Sequence, residues 1–310
     1  MGPRAAAAIG ALVGLLFLAA CRQGAPTLPP PPASYQQQSQ QELQLDVAEA
    51  EPSPAVGEAQ PSPAAPPAAA ESAVPLPQTA ALPAKRICLD PGHDASSPGA
   101  SAKDASGRVI FDEHLLTLEV AYRLKPLLEA AGFVVCVTRA PDGTPVARPR
   151  DENGNGRLEG WERAQAKIDY INAFGAQALV SIHFNGISDP SIRGSEVYYS
   201  DTGPYEANNR LLARTLLDSL VAAIRSAGYQ VVDRGIKSDN YKPYGRLWIL
   251  GHNDQLARKA RWQAGALVEV VFLSNPSDVA FLRRPDALDV IVRGLQEGIL
   301  RFWAQAFPSS

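Results

Sequence analysis

A break in composition at Lys85 decides how much of this chain can fold. Of its 27 prolines, 14 lie between Ala25 and Ala84, among Ala, Gln and Ser with almost no aromatic residues. No Lys or Arg occurs between Arg22 and Lys85, whereas Glu42, Asp46, Glu49, Glu51, Glu58 and Glu71 make the stretch acidic. Such a segment buries too little apolar surface to offset its conformational entropy, so residues 22–84 are expected to be disordered or partly polyproline-like. As a coil it would span on the order of 45 Å, and more where polyproline stiffens it. It reads as a tether. The remaining residues, 85–306, are an ordinary size for one α/β domain with a sizeable core.

Residues 1–21 place Arg4 before an apolar Ala/Leu/Val run that ends Leu18-Ala-Ala-Cys21. A basic start, a short apolar core and small residues before a break describe a secretory signal rather than a spanning helix. The ending resembles a bacterial lipobox, which implies that Cys21 is lipidated and heads an exported, membrane-anchored protein. An ordinary signal peptide with an incidental cysteine is the alternative. Setting aside the two N-terminal arginines and the six tether acids turns the formal charge of −3 into +1 for the folded part. A nearly neutral domain carries no electrostatic footprint for nucleic acid. Cys88 and Cys136 both sit in apolar strand patterns, outside any Cys-x-x-Cys motif. In an exported protein they could pair, but two buried thiols are the favoured expectation, because disulfide geometry is demanding.

Strand and helix signals alternate along the folded part. Short apolar runs predict strands at 86–90, 133–138, 178–182, 195–199, 247–250 and 266–272. Helical periodicity predicts helices near 113–131, 161–174, 205–227 and 286–304, the first kinked or broken at Pro126. Alternating elements with near-continuous apolar strands predict an α/β fold: a mostly parallel, doubly wound open sheet with helices on both faces.

Four residues stand out against that scaffold. They lie in Asp90-Pro-Gly-His93, Asp112-Glu113 opening a helix, Ser181-Ile-His183-Phe-Asn185, and Val268-Glu269-Val-Val-Phe272-Leu-Ser-Asn275. In open α/β sheets functional side chains gather at the carboxyl ends of strands, where His93, His183 and Glu269 all fall. Two imidazoles and a carboxylate form a common catalytic-zinc ligand set, leaving one position for water. His93, Glu113 and His183 are therefore expected to hold zinc, with Glu269 moving the proton of an activated water. Each member alone has a plainer explanation; Glu113, for instance, could simply be an acid favoured at a helix start. Glu269 is harder to explain otherwise, because an acid inside Leu267-Val-Glu-Val-Val-Phe-Leu is costly to bury without a purpose. Asn185 either touches substrate or supports the site and its turn. His114 and His252 are expected to be ordinary polar residues.

Those motifs, in that order over residues 85–304, resemble the zinc-dependent N-acetylmuramoyl-L-alanine amidases of type 3. The family's opening Asp-Pro-Gly-His and following Pro-Gly-Ala match Asp90 to His93 and Pro98 to Ala100. Its ligand Glu before a helix Leu matches Glu113 and Leu118, and the Thr-Arg ending its second strand matches Thr138-Arg139. Its Ser-Ile-His-x-Asn matches Ser181 to Asn185, and its closing Val-Glu-x-x-Phe-Leu-Ser-Asn matches Val268 to Asn275. The resemblance implies a doubly wound α/β fold, zinc on His93, Glu113 and His183, and Glu269 as acid and base. It implies cleavage, in peptidoglycan, of the amide joining the lactyl group of N-acetylmuramic acid to L-alanine of the stem peptide. The chain departs from the pattern at Asp94 and Ala95, where glycines usually follow the histidine, at Ser97 in place of a common Asp, and at Val271 in place of a common Gly.

A second constellation, Asp151-x-Asn153-x-Asn155-Gly156-Arg157 continuing to Glu162, has the spacing of a calcium loop, with Arg157 at the backbone-ligand position. A structural calcium ion and a plain Asn/Gly turn before a capped helix are both open on this evidence. The leading functional expectation is an extracytoplasmic, lipid-anchored peptidoglycan amidase. A catalytically silent wall-binding lipoprotein and a zinc peptidase cutting another stem-peptide bond are the alternatives.

Overall fold

The computed structural model describes residues 84–240 and 245–308. The expected signal, Cys21 and the tether up to residue 83 lie outside the described residues. No helix among the described residues is long and apolar enough to cross a membrane.

The folded part is built on strands β1 (Lys85–Pro91), β4 (Phe133–Val137), β5 (Ala178–Asn185), β6 (Ser195–Tyr199), β7 (Asp233–Ser238) and β8 (Ala264–Phe272), with a small antiparallel pair, β2 (Ser101–Lys103) and β3 (Val109–Asp112). The main sheet has the order β4-β1-β5-β8-β6-β7. The first four strands in that order run parallel, β6 is antiparallel to β8, and β7 is parallel to β6. Helices α1 (Glu113–Ala130), α2 (Gly160–Phe174), α3 (Glu206–Ser226), α4 (Pro276–Leu282) and α5 (Ala287–Ala306) complete the fold. The expected mostly parallel α/β sheet with helices on both faces is what is found.

Strand alternation sorts the side chains by face. Ile87, Leu89, Val180, Ile182, Phe184, Val268 and Val270 enter the main core with Leu116, Val120 and Leu124 of α1, Leu212, Leu216 and Leu220 of α3, and Ile291, Leu295 and Ile299 of α5. The intervening positions face the other way. There Cys88 and Leu179 pack on Ile168 and Ile171 of α2, and Tyr198 and Leu267 form a small cluster with Leu247 and Leu250. Asp90, Ser181, His183, Glu196 and Glu269 share the alternation of this second face, so the same pleat that builds the core presents the polar residues opposite it.

Three expectations are corrected. Cys88 and Cys136 form a disulfide, because the parallel register sets the two residues opposite each other on β1 and β4 with Cα atoms 4.5 Å apart. Helix α1 continues unbroken through Pro126, at the cost of one backbone donor. Residues 248–250 form a single 3₁₀ turn closed by Gly251 in the left-handed region, not a strand. The elements β2, β3, β7 and α4 went unread, being short or flanked by polar residues that mask a strand pattern.

Candidate metal centre

His93, Glu113 and His183 converge at the carboxyl edge of β1 and β5. One ligand atom from each lies within 4.8 Å of the others. Glu113 Oε1 is 3.0 Å from His183 Nδ1 and 3.3 Å from His93 Nε2. The imidazole rings meet edge to face with centroids 5.0 Å apart.

Each ligand is placed by its local backbone. His93 follows the Pro91-Gly92 turn at the end of β1 and takes φ of 60°, the left-handed region that non-glycine residues rarely occupy. Backbone strain of that kind persists only where the surroundings enforce it. Glycine at 92 is required by close approach: a Cβ there would sit 2.3 Å from the His183 ring. Gly99 has the same role on the far side, where a Cβ would lie 2.4 Å from Glu113 Oε2. The two glycines of the sequence motifs thus leave room for the ligands themselves. Glu113 opens α1, whose first N–H groups are taken by loop carbonyls: Glu113 N donates to Ala100 O and His114 N to Pro98 O. Its carboxylate in turn accepts from Ala100 N and Phe184 N, both at 2.9 Å.

Deeper groups hold the frame. Buried Asp90 accepts from Thr138 and, at 2.8 Å, from Ser181, with Lys167 Nζ at 3.0 Å. That carboxylate therefore ties the ends of β4 and β5 and helix α2 to β1, three residues before His93. The Arg139 guanidinium, 1% exposed, donates to the His114 carbonyl at 2.8 Å and the Gly92 carbonyl at 3.3 Å. Thr117 also donates to the Gly92 carbonyl. Thr138-Arg139 of the motif therefore braces the histidine loop. In the departing segment, Asp94 and Ser97 exchange backbone hydrogen bonds, and the Asp94 carboxylate accepts from Ser96, closing a tight turn where the family pattern has glycines.

Burial works to raise the Glu113 carboxyl, but the imidazoles of His93 and His183 outweigh it and hold it well below the usual carboxylate range. Burial pushes the His183 imidazole down despite Glu113. A buried carboxylate between two converging imidazoles, one of them, His183, pushed toward its neutral form by burial, is a donor set for a divalent cation. The oxygen and nitrogen types, their convergence and the lack of room for anything but hydrogen at Gly92 and Gly99 all fit zinc.

Glu269 lies on β8 in register with His183 on β5. It is 1% exposed, and neither of its carboxyl oxygens has a hydrogen-bond partner among the described residues. Burial first, then the charges of Glu113 and Glu196, push its carboxyl well above the usual range against the pull of Lys237. Asn185, also buried, donates through Nδ2 to Glu196 at 3.0 Å. Glu196 was missed in the sequence, as were Asp90, Arg139, Arg234 and Lys237 as parts of the site. An acid within Ser195-Glu-Val-Tyr-Tyr carries the same signal that singled out Glu269, but a five-residue strand permits an exposed acid and so muted it.

Among the described residues the cluster holds neither His114 nor His252. The Asp151–Glu162 loop closes on itself: Asp151 accepts from Asn155 and Gly156, Asn153 from Asn155, and Asn155 from Arg157. Glu162 accepts from Glu152 and Asn153 and completes a capping box with Glu159 at the start of α2. These bonds account for the loop's residue types as a turn and a helix cap.

This sheet, with paired imidazoles and a carboxylate at its edge and an isolated acid beside them, has the frame of one known class of hydrolase. The chain belongs to the N-acetylmuramoyl-L-alanine amidase family, whose model matches residues 87–301. It is 31% identical over 229 residues to the germination-specific N-acetylmuramoyl-L-alanine amidase of Bacillus subtilis (strain 168), covering 74% of this chain and 84% of that protein. It is 27% identical over 218 residues to the probable cell wall amidase LytH of Staphylococcus aureus, covering 70% of this chain and 58% of that one. The fold overlays on the CwlD amidase from Clostridioides difficile, solved in complex with the GerS lipoprotein, with TM-score 0.54 at 23% identity, covering 71% of this chain and 99% of that chain. It also overlays on an N-acetylmuramoyl-L-alanine amidase from Clostridium difficile 630, with TM-score 0.53 at 23% identity, covering 73% and 99% respectively. The family places this chain among the peptidoglycan hydrolases.

Proposed function

We propose that the chain is a zinc-dependent amidase that cleaves the bond between the lactyl group of N-acetylmuramic acid and L-alanine of the stem peptide. The observation that carries this reading is the meeting of His93, Glu113 and His183 beside a buried carboxyl with no partner of its own. Zinc in such a donor set supplies Lewis acidity, acidifying water and polarising a carbonyl.

The chain's own residues do the rest. Backbone N–H groups of Ala100 and Phe184 fix the Glu113 carboxylate, and Asp90 and Arg139 fix the loop that carries His93. Glu269, with both oxygens unengaged, takes a proton from the attacking water and passes it to the departing nitrogen of L-alanine. Asn185 contacts the substrate peptide. Cys21 anchors the protein by lipid, and residues 22–84 let the domain reach the wall outside the cytoplasm.

The test pairs metal content with product chemistry. Wild type dialysed against zinc is expected to bind one equivalent, and His183→Ala to bind none. Incubation of wild type with purified peptidoglycan is expected to free L-alanine amino termini with the glycan intact, read by mass spectrometry. A different cleaved bond would favour a zinc peptidase, and absence of any product a binding protein.

A further inference from the structure

A buried polar cluster with no assigned task adjoins Glu269. Glu196 on β6 stands in antiparallel register opposite Glu269 on β8 and is fully buried. Its carboxylate takes four donors from three strands. Asn185 Nδ2 at 3.0 Å and the Tyr198 hydroxyl at 2.9 Å reach Oε1; Arg234 Nε at 2.7 Å and Lys237 Nζ at 2.5 Å reach Oε2. Burial works to raise the Glu196 carboxyl, but Lys237 and then Arg234 outweigh it and hold it below the usual range. Glu269, one strand away, has no hydrogen-bond donor among the described residues. Two neighbouring carboxyls in such opposed surroundings are suited to different tasks, one a fixed anion and the other a carrier of protons.

The fixed anion determines how its neighbours point. A side-chain amide can present either end, but a carboxylate only accepts, so the Asn185 nitrogen must face Glu196. The amide oxygen is thereby turned away from Glu196, on a side chain two residues beyond His183. Lys237 is held in the same way, at Oε2, where its charge also acts on Glu269. A neutral or apolar residue at 196 would leave the amide free to flip and would remove the carboxylate that Arg234 and Lys237 both bond.

We propose that Glu196 is a positioning residue for amide hydrolysis, locking Asn185 so that its oxygen accepts an N–H of the muramoyl peptide and holding Lys237 beside Glu269. This rests on the amidase reading given above. Glu196 does not itself touch substrate; it acts through Asn185 and Lys237.

The test is a double-mutant cycle on a soluble muramoyl-peptide substrate, with kcat, KM, zinc content and Tm measured for each variant. Glu196→Gln and Asn185→Ala are each expected to lower kcat at least about tenfold, with zinc content unchanged and less effect on KM. Combining them is expected to cost no more than the worse single change, because both remove the same orientation. Glu196→Gln combined with Lys237→Met balances the buried charge and covers the case in which Glu196→Gln alone does not fold. Wild-type kcat in either Glu196 variant, or losses that multiply with Asn185→Ala, would overturn the inference while leaving the amidase reading intact. A wild-type protein that binds zinc but cleaves no muramoyl amide would instead sink that reading, and the inference with it.

Discussion

At the scale of single residues, environment divides otherwise equivalent carboxyls into different roles. Glu113 is clasped by two imidazoles and two backbone N–H groups, Glu196 by two cations, an amide and a hydroxyl, and Glu269 by nothing. Replacing Glu269 with Gln preserves shape and removes the ability to carry a proton. The expected loss in kcat is at least about 10²-fold, the usual contribution of general acid–base catalysis. The same change is expected to stabilise the metal-free protein, with a definite sign. A carboxyl whose proton affinity is higher folded than unfolded contributes stability at low pH and loses it as pH rises past its ordinary value of 4.5. Gln does not ionise, so the Tm of metal-free Glu269→Gln should exceed that of wild type by an amount that grows above that pH. Calorimetry across the pH range checks this, and a constant difference would show that Glu269 is not held neutral by burial.

At the scale of elements, the disulfide between β1 and β4 joins residues 48 apart in sequence. It links edge strand β4 to the strand that delivers His93, on the face covered by α2. Opening it releases a long loop in the unfolded chain, so the Cys88→Ser, Cys136→Ser double variant is expected to lose roughly 2–4 kcal/mol of stability. Denaturant unfolding with and without reductant measures this directly. Neither cysteine belongs to the proposed ligand cluster, so the variant that remains folded should bind added zinc as wild type is proposed to do. The turn between β8 and α4 is built in the same economical way. Asn275 caps α4 through Ser277 N and Asp278 N, while buried Asp278 accepts from Gly194 N and Phe272 N. One short helix thereby pins the segment just beyond Glu269 to the loop leading into β6.

At the scale of the whole molecule, folded domain and N-terminal segment are assigned separate work. Residues 85–306 carry the sheet and every proposed site residue except Cys21. A chain beginning at Lys85 is therefore expected to match the full-length protein in Tm and in kcat on soluble muramoyl peptide. It should appear in the soluble fraction where the full-length chain sediments with membranes. A Cys21→Ser variant that still sediments after its signal is cleaved would rule out the lipid anchor. The near-neutral folded part predicts that activity on peptidoglycan depends only weakly on ionic strength.

Apolar strand runs, helical periodicity and the motifs around His93, Glu113, His183 and Glu269 were all legible in the chain because each depends on local pattern. The buried acid at 269 could be singled out from its apolar neighbours alone. What could not be read was anything set by register between distant strands. That register makes Cys88 meet Cys136 and puts Glu196 opposite Glu269. The reversal of β6, which ends the parallel order, likewise follows from no local signal. Side-chain type and spacing determine which residues can ligate or carry a proton. Only the packed sheet decides which of them share a face, and it is that shared, largely buried face that turns scattered acids and imidazoles into one site.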